Sequence, residues 1–473
     1  MRPNLIAGSL VSEGRVQSVE NPHHRTVIAE VAVAGPAQLE RAISAAHGAW
    51  RHTRALPTHA RVGMLRRVAA LLDERAEGLA GQLSQEAGKP IDFARGEVAR
   101  AVETFTFAAS ELESRREEVI ALDASPRVSN RWGVVRRFSS GPVAAITPFN
   151  FPLNLVAHKV APAMMAGSPL VIKPAPATPL SALSLGELLL EAGWPAEALS
   201  VLNVEVVDCG PLVSDPRLSV LSFTGSDAVG WRLKGQAGRK RVLLELGGDA
   251  AVVVLPDAGE DPGVWDAMVQ RIAFGAFAYA GQVCISVQRV LVHADVAERL
   301  TEDLVAATQR LAVGAPETPG VMMSSLIDDR AVAKVKRIVE QTEAAGGQRR
   351  CGGHREGRLF DPMVFTNVPA DAPLGCEEVF GPALMVQPVG GLDEAIEQVN
   401  RSRFGLQAGI FTNRLSDAHR FYEQAEVGAV LLNDIPTWRV DHMPYGGVKE
   451  SGFGREGLRY AYEEYTEPRL LVM

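Results

Sequence analysis

Cys284 is the residue whose surroundings most suggest chemistry. It lies in YAGQVCISVQR, residues 279–289, among small and polar side chains rather than within a run of Val and Leu. Gly281, three residues earlier, permits the tight turn that a nucleophile needs. A thiolate attacks electrophilic carbon far better than a thiol does, so a nucleophilic Cys284 needs a site that favours the anion or supplies a base. An ordinary core cysteine and a Cys–His hydrolase, with a histidine brought close by the fold, are alternatives that these residues leave open.

Two further polar residues are awkward as ordinary packing. Glu245 ends the apolar run RVLLE and is followed by two glycines, which let a backbone approach a ligand closely. A carboxyl group in a partly apolar site has a raised pKa and can serve as a general base. Asn150 lies between aromatic residues and prolines in ITPFNFPL, and its amide can donate to an oxyanion. A salt bridge for Glu245 and a turn position for Asn150 are the plainer interpretations.

The segments around Lys173 and Ser226 are typical of a nucleotide site. Lys173 ends PLVIK, where an ammonium group can bind ribose hydroxyls or a phosphate. In FTGSDAVG, the N–H groups that open the following helix suit a pyrophosphate. The spacing from Gly225 to Gly230 is G-x-x-x-x-G rather than G-x-G-x-x-G, so this signal is weak on its own.

These residues follow short apolar runs that we expect to be buried strands. GPVAAITP, SPLVIKP, LSVLSFTGS and RVLLELGG are each ended by Gly or Pro, and helical segments such as residues 180–193 separate several of them. Alternating buried strands and helices predict an α/β fold with a parallel, doubly wound sheet. Ligands bind at the carboxyl ends of the strands in such sheets, where Asn150, Lys173, Ser226 and Glu245 all fall.

Composition excludes several classes of protein. The 473 residues carry a net charge of -8 without a dense basic block, so we expect no nucleic-acid partner. No window reaches the roughly 18 apolar residues that a membrane helix needs, and the first residues lack the apolar core of a signal peptide. The four cysteines form no CxxC pair and the histidines are scattered, so we expect neither a metal site nor disulfides. These features predict a cytoplasmic protein with reduced thiols.

Taken together, the motifs resemble those of the NAD(P)-dependent aldehyde dehydrogenase superfamily. In chain order they are ITPFNFPL, KPAPATPL, FTGSDAVG, LELGG, GQVC, EEVFGP and MPYGGVKESGFGRE. They span most of the chain in the order found in the family, which makes the set far more specific than any one motif. YAGQVCISV and NDIPTWRVDHMPYGGVKESG are most similar to the branch that holds lactaldehyde, non-phosphorylating glyceraldehyde-3-phosphate and phosphonoacetaldehyde dehydrogenases.

The resemblance implies a mechanism with NAD or NADP as the cofactor. Cys284 attacks an aldehyde to form a thiohemiacetal, whose oxyanion is held by the Asn150 amide and the backbone N–H of Cys284. Oxidation leaves a thioester, and Glu245 activates the water that releases the carboxylic acid. The residues that the resemblance implies for cofactor binding are Thr147, Pro148, Phe149, Lys173, Gly225, Ser226, Glu378 and Phe380.

One cofactor position departs from the family pattern. Many members that prefer NAD carry Glu three residues after the lysine, where it binds both ribose hydroxyls. Here that residue is Pro176. The missing carboxylate removes repulsion against a 2′-phosphate, so we expect both NAD and NADP to be used.

The resemblance also implies a substrate pocket, formed by Phe151, Val283, Ile285, Trp438 and Arg439. Arg439 either binds an anionic or hydroxylated aldehyde or pairs with Asp441 or Asp434. We predict small polar or anionic aldehydes over long aliphatic ones.

We expect three structural units. They are a cofactor domain over 1–117 and 140–248, an α/β catalytic domain over 249–443, and a small β oligomerisation arm over 118–139 and 457–473. The arm is expected because residues 118–139 alternate polar and apolar residues around a Ser-Pro turn, and because EPRLLVM predicts an edge strand. A plain surface hairpin without an oligomer contact is the alternative. The resemblance implies a homodimer or homotetramer.

Two rivals within the same fold remain. A CoA-acylating dehydrogenase passes the acyl group to CoA instead of water, but such members generally lack the glutamate that Glu245 matches. A catalytically silent binding or structural protein tolerates loss of Cys284, Glu245 or Asn150, yet all three are present.

Overall fold

The predicted buried strands form the parallel centre of an eight-stranded sheet. The computed structural model describes residues 1–473. In spatial order the strands of this first sheet are β2 (Ser9–Val11), β1 (Asn4–Ile6), β9 (Leu199–Val201), β8 (Leu170–Lys173), β7 (Val143–Ile146), β10 (Val220–Thr224), β11 (Arg241–Glu245) and β21 (Gly452–Phe453).

Fifteen α-helices accompany the strands, and none of them has the length and hydrophobicity needed to cross a membrane. They are α1 (Pro36–Thr53), α2 (Thr58–Glu74), α3 (Ala76–Ala87), α4 (Ile91–Ser114), α5 (Asn154–Ala166), α6 (Leu180–Glu191), α7 (Gly210–Ser214), α8 (Asp227–Gln236), α9 (Pro262–Phe277), α10 (Ala294–Gln309), α11 (Asp329–Ala344), α12 (Pro373–Cys376), α13 (Leu392–Arg401), α14 (Leu415–Gln424) and α15 (Leu458–Glu464).

Both faces of the first sheet are covered, which explains why its five parallel strands are mostly apolar and are buried along nearly their whole length. Val143 and Ala145 of β7 pack in the core formed with α2 to α6, whereas Ala144 packs on the opposite side with α1 and α7. The chain runs from β7 outward to β8 and β9, then returns to β10 and β11 on the other side of β7. The five strands are parallel, so this reversal opens a crevice at the carboxyl ends of β7 and β10.

A second, seven-stranded sheet follows in sequence. Its order is β14 (Gln348–His354), β15 (Phe360–Thr366), β16 (Ala383–Val389), β13 (Arg289–His293), β12 (Ala251–Val254), β18 (Gln407–Phe411) and β19 (Ala429–Leu432). All pairs are parallel except β14 with β15. The doubly wound, parallel α/β architecture predicted from the sequence is therefore present.

The predicted hairpin and the C-terminal edge strand meet in a small antiparallel sheet. It consists of β22 (Thr466–Val472), β6 (Trp132–Ser139) and β5 (Glu118–Ala121), with β22 paired to β6 along its whole length. Two further strand pairs are β3 (Arg15–Glu20) with β4 (Val27–Val33), and β17 (Phe404–Gly405) with β20 (Val448–Lys449). The domain boundaries given above stay a prediction.

Candidate active site

Cys284 follows a strained turn at the end of α9. Tyr279 and Ala280 both adopt left-handed backbone conformations, with φ of 52° and 56°, and Gly281 continues the turn at φ 69°. A Cβ atom at Gly281 would lie 2.3 Å from the carbonyl oxygen of Gly381, so only glycine fits there. Strain of this kind is characteristic of functional sites, and here it directs the chain from α9 toward Cys284.

The Cys284 sulfur lies in a largely apolar setting with one polar side-chain contact. Its Sγ is 3.1 Å from the hydroxyl of Tyr445. Burial raises the pKa of the Cys284 thiol to about 11, against the opposing effects of the Tyr445 hydrogen bond and of Arg439. Burial therefore favours the neutral thiol. The partner of the sulfur is a tyrosine rather than the histidine that a Cys–His hydrolase requires.

Glu245 ends β11 as a buried carboxyl group without an ion-pair partner. Its Oε2 atom accepts no hydrogen bond, and the chain closes over it at Gly446, where a Cβ atom would lie 2.8 Å from Oε1. Burial, with the negative charge of Glu456 nearby, raises its pKa well above the usual value for Glu. The salt bridge that the sequence offered as a plainer interpretation is absent.

The two glycines after Glu245 connect it to Glu378 and Cys284. The N–H of Gly248 donates to Glu378 Oε1 at 2.9 Å. A Cβ atom at Gly247 would lie 2.6 Å from the Glu378 carboxylate, and one at Gly248 would lie 2.8 Å from the Cys284 carbonyl oxygen. The LELGG segment therefore brings two carboxyl groups and the cysteine backbone to one place.

Asn150 follows β7 and is fixed against the cysteine turn. Its Nδ2 donates to the Gln282 carbonyl at 2.9 Å, which places the amide beside Cys284 in the folded chain. This bond uses one of the two N–H groups of the amide. The backbone N–H of Cys284 makes no hydrogen bond within the protein. Two donors therefore remain for an oxyanion at this point.

The crevice between β7 and β10 contains polar atoms that lack protein partners. Thr147 Oγ1 is buried without a hydrogen bond, and Lys173 Nζ contacts only the carbonyl of Pro174, at 3.0 Å. Burial lowers the pKa of Lys173. Gly225 packs against the ring of Phe223, and Ser226 begins α8 with no side-chain capping bond. Unused donors at a helix N-terminus fit a ligand with hydroxyl and phosphate groups.

The far end of this crevice is more apolar. The rings of Phe149 and Phe380 stand nearly perpendicular with centroids 5.9 Å apart, and Phe380 has a left-handed backbone at φ 49°. Burial raises the pKa of Glu378 to about 7. Pro148 precedes Phe149 in the loop after β7, and Pro176 is exposed, with its carbonyl bound by Gln17. The residues present thus fit a dinucleotide with a polar end at Lys173 and an aromatic end near Cys284.

A cavity of about 420 Å³ opens on the other side of Cys284. Its lining includes Cys284 and all five pocket residues predicted from the sequence, namely Phe151, Val283, Ile285, Trp438 and Arg439. Trp438 is half-exposed, whereas the Arg439 side chain is only 7% exposed. A cavity of this size suits a small substrate.

The structure shows neither of the ion pairs that the sequence offered as the alternative role of Arg439. Arg439 contacts Glu456 at 3.4 Å and stacks on the ring of Tyr445 at 3.6 Å from its centroid. Asp441 is instead occupied by Arg100, His158 and Asn154, and Asp434 pairs with Arg271. Arg439 Nε is buried without any partner, so the guanidinium retains an unused donor.

Comparison with known proteins decides which family has this arrangement. The model of the aldehyde dehydrogenase family matches residues 10–471. The chain belongs to the aldehyde dehydrogenase family.

Relatives and solved structures agree over the full length. A 3-sulfolactaldehyde dehydrogenase from Priestia aryabhattai is 38% identical over 469 residues, which cover 99% of this chain and 97% of the relative. Aldehyde dehydrogenase 21 from Physcomitrella patens, solved with the reaction product succinate, superposes with a TM-score of 0.97 at 40% identity, covering 100% and 98% of the two chains. An NADP-dependent glyceraldehyde-3-phosphate dehydrogenase from Bacillus halodurans, complexed with NADP, superposes with a TM-score of 0.96 at 32% identity, covering 100% and 99%.

These comparisons confirm four predictions from the sequence. They are the family, the fold class, the activity of an NAD(P)-dependent aldehyde dehydrogenase, and NAD or NADP as the cofactor.

Sequence reasoning missed several charged residues and one tyrosine around the dehydrogenase site. Arg100, in α4, lines the cavity, and Lys159, in α5, forms a buried ion pair with Glu456 at 3.1 Å. Tyr445 lies in the MPYGG motif, residues 443–447, but the motif alone indicated no role for it. Nothing in the spacing distinguishes Arg100 from other helical arginines, whereas the position of Tyr445 beside two motif glycines was a usable signal.

Proposed function

We propose that this dehydrogenase oxidises a small anionic aldehyde to its carboxylic acid, with Cys284 as the nucleophile. The observation that carries the proposal is Arg439, whose side chain is only 7% exposed and which lines the same cavity as the Cys284 thiol. A buried cation is costly unless it is paired or used, and the 3.4 Å contact with Glu456 is long for a full pairing.

The first step is attack by sulfur. After the Cys284 thiol has lost its proton to solvent in the cavity, Sγ forms a bond to the carbonyl carbon, and the carbonyl π electrons move to oxygen. The resulting oxyanion accepts hydrogen bonds from the free N–H of Asn150 and from the backbone N–H of Cys284. Preorganised donors of this kind stabilise charge that develops in the transition state.

Oxidation of the thiohemiacetal gives a thioester on Cys284. When bound, NAD or NADP would accept the hydride that leaves the thiohemiacetal carbon, and Thr147, Lys173, Ser226, Glu378 and the neighbouring residues predicted from the sequence would hold it. Lys173 would bind the adenosine ribose, and the packed rings of Phe149 and Phe380 would support the other end.

Hydrolysis then requires a base, which we assign to Glu245. In its ionised form it takes a proton from water, the water oxygen bonds to the acyl carbon, and the carbon–sulfur bond breaks to return the Cys284 thiolate. The raised pKa of Glu245 suits this role, because a stronger base accepts the proton more readily.

Anion recognition is assigned to the two arginines of the cavity. Arg439 contributes its positive charge from the cavity wall. Arg100, whose side chain is 30% exposed, pairs with Asp441 through Nε and one terminal nitrogen and keeps its other terminal nitrogen for the same space. The similar proteins named above also support an anionic substrate, since 3-sulfolactaldehyde, glyceraldehyde 3-phosphate and succinate all carry an acidic group.

We further propose that both NAD and NADP are used, because exposed Pro176 leaves no carboxylate to repel a 2′-phosphate.

We propose a homodimer or homotetramer through the three-stranded arm, supported by apolar side chains exposed there: Val119, Trp132, Leu470, Leu471 and Val472. A cytoplasmic setting is supported by four unpaired cysteines, since catalysis needs Cys284 reduced.

A panel of aldehydes assayed with NAD and NADP tests the proposal. We expect kcat/KM for carboxylated, sulfonated or phosphorylated aldehydes to exceed that for neutral aldehydes of equal length by about ten-fold or more, the value of one charge-assisted hydrogen bond. Equal values for both classes would refute the anionic substrate. NADP activity below about a thousandth of NAD activity would refute dual use, and acyl-CoA formation in the presence of CoA would favour the acylating rival.

A further inference from the structure

Tyr445 is held against the nucleophile from several sides. The residue is 3% exposed, and its hydroxyl lies 3.1 Å from Cys284 Sγ. Two backbone hydrogen bonds clamp it to Glu456, one of 3.1 Å from the Tyr445 N–H and one of 2.7 Å to the Tyr445 carbonyl. The Arg439 guanidinium covers the ring at 3.6 Å from its centroid. The position of the hydroxyl is therefore fixed by the fold.

The surroundings of the sulfur make this one contact important. Cys284 packs in a cluster with Val283, Ile285 and Leu406, none of which can solvate a negative charge. Cys284 is partly buried, and a thiolate with few hydrogen bonds in such an apolar setting is disfavoured. The Tyr445 hydroxyl is the only side-chain donor within hydrogen-bond distance of Sγ.

The direction of the hydrogen bond follows from the order of ionisation. Burial raises the pKa of Tyr445 well above its usual value, and negative charge on Cys284 raises it further. The phenol therefore keeps its proton when the thiol loses one, and the hydroxyl can only donate to the thiolate. Three other charged groups act on Cys284 and Tyr445. Arg439 stabilises the ionised form of both residues, and Glu245 destabilises it in both. Glu378 destabilises the Cys284 thiolate.

We propose that Tyr445 is a catalytic residue whose hydroxyl donates a hydrogen bond to the Cys284 thiolate, both before attack and when the sulfur leaves the thioester. No bond is made or broken at the phenol, which keeps its proton throughout. The inference rests on the proposed role of Cys284 as the nucleophile and adds a fourth group to Cys284, Asn150 and Glu245.

The variant Tyr445→Phe tests the inference, because it removes the hydroxyl and retains the ring beneath Arg439. The matched control is Tyr465→Phe, which removes a buried hydroxyl beside Ser222, outside the cavity. Thiol ionisation is followed by ultraviolet absorbance of the thiolate, with the Cys284→Ser form of each protein subtracted. Labelling of Cys284 by iodoacetamide is followed in parallel between pH 7 and pH 10.

We expect the acid dissociation constant of Cys284 to fall about ten-fold or more in Tyr445→Phe, as for loss of a hydrogen bond to a charged group. Because a more basic thiolate is more nucleophilic, with a Brønsted coefficient of about 0.4–0.5, labelling should slow by only about three-fold. A purely structural role for Tyr445 predicts no change in thiol acidity.

The outcomes separate the inference from the function on which it rests. Equal thiol acidity and labelling rates in the wild-type, Tyr445→Phe and Tyr465→Phe proteins overturn the role of Tyr445 alone. If iodoacetamide leaves Cys284 of the wild-type enzyme unlabelled while aldehyde oxidation continues, the proposed role of Cys284 as the nucleophile is overturned instead.

Discussion

The variant Arg439→Met isolates the buried charge of the substrate cavity. Methionine retains an apolar stem of similar length over the Tyr445 ring, so packing changes less than with alanine. The guanidinium is 7% exposed, so water screens its contact with a bound anion very little. A hydrogen bond to a charged group contributes about 1.5–3 kcal/mol, and about 1.4 kcal/mol is ten-fold in kcat/KM, which predicts a loss of about 12- to 140-fold for anionic aldehydes.

The assay compares an anionic aldehyde with a neutral one of equal length, for example 4-oxobutanoate and butanal. Arg439 also lowers the pKa of Cys284, so its removal leaves less thiolate to attack either substrate. The ratio of the two kcat/KM values cancels that shared effect and reports the contact with the anion. Arg420→Met, at a surface pair with Asp393 outside the cavity, controls for the change in net charge.

A ratio that stays within about two-fold of the wild-type ratio, with both substrates slowed equally, would refute the reasoning. Arg439 would then act only on the structure of the site or on the ionisation of Cys284.

Three further predictions concern the base and the cofactor. The variant Glu245→Gln should lower steady-state kcat by about 100-fold or more, the usual contribution of a general base. Rapid mixing should still show a stoichiometric burst of reduced cofactor, because the steps before hydrolysis are intact. Loss of the burst would place Glu245 in the first step instead. Because burial raises the pKa of Glu245 and only its ionised form is a base, kcat should rise with pH. The variant Glu456→Gln removes a neighbouring negative charge, so the pH profile of kcat should move to lower pH. A profile that does not move would exclude an effect of Glu456 on Glu245. The variant Pro176→Glu should weaken NADP binding by about ten-fold, because the new carboxylate repels the 2′-phosphate. NAD binding, measured in the same way by calorimetry, should be unchanged or tighter. Equal weakening of both cofactors would contradict this account of Pro176.

The sequence predicted the residues that end strands better than those that lie between elements. Asn150, Lys173, Ser226 and Glu245 follow parallel strands, and the direction of those strands brings them to one edge of the sheet. Family motifs then supplied the residues of the cavity. Both kinds of inference depend on local pattern, which the chain displays directly.

The charged contacts around Arg439 depend on tertiary packing and could not be predicted in that way. The sequence offered Asp441 and Asp434 as possible partners of Arg439 because they are close in sequence, but Asp441 binds Arg100, which is 341 residues away. The ionisation of Cys284 was also beyond local pattern. A nucleophile suggested a site that favours the thiolate, whereas burial favours the neutral thiol, and this difference is visible only once the neighbours are placed.

Trapping of the acyl-enzyme tests the central claim most directly. The Glu245→Gln protein is mixed with NAD and an anionic aldehyde, quenched in acid, digested and measured by mass spectrometry. We predict that the peptide containing Cys284 carries the acyl group as a thioester and that the Cys284→Ser protein carries none. An acyl group on Cys209, Cys351 or Cys376, or no acyl-enzyme under conditions that still reduce NAD, would contradict the account.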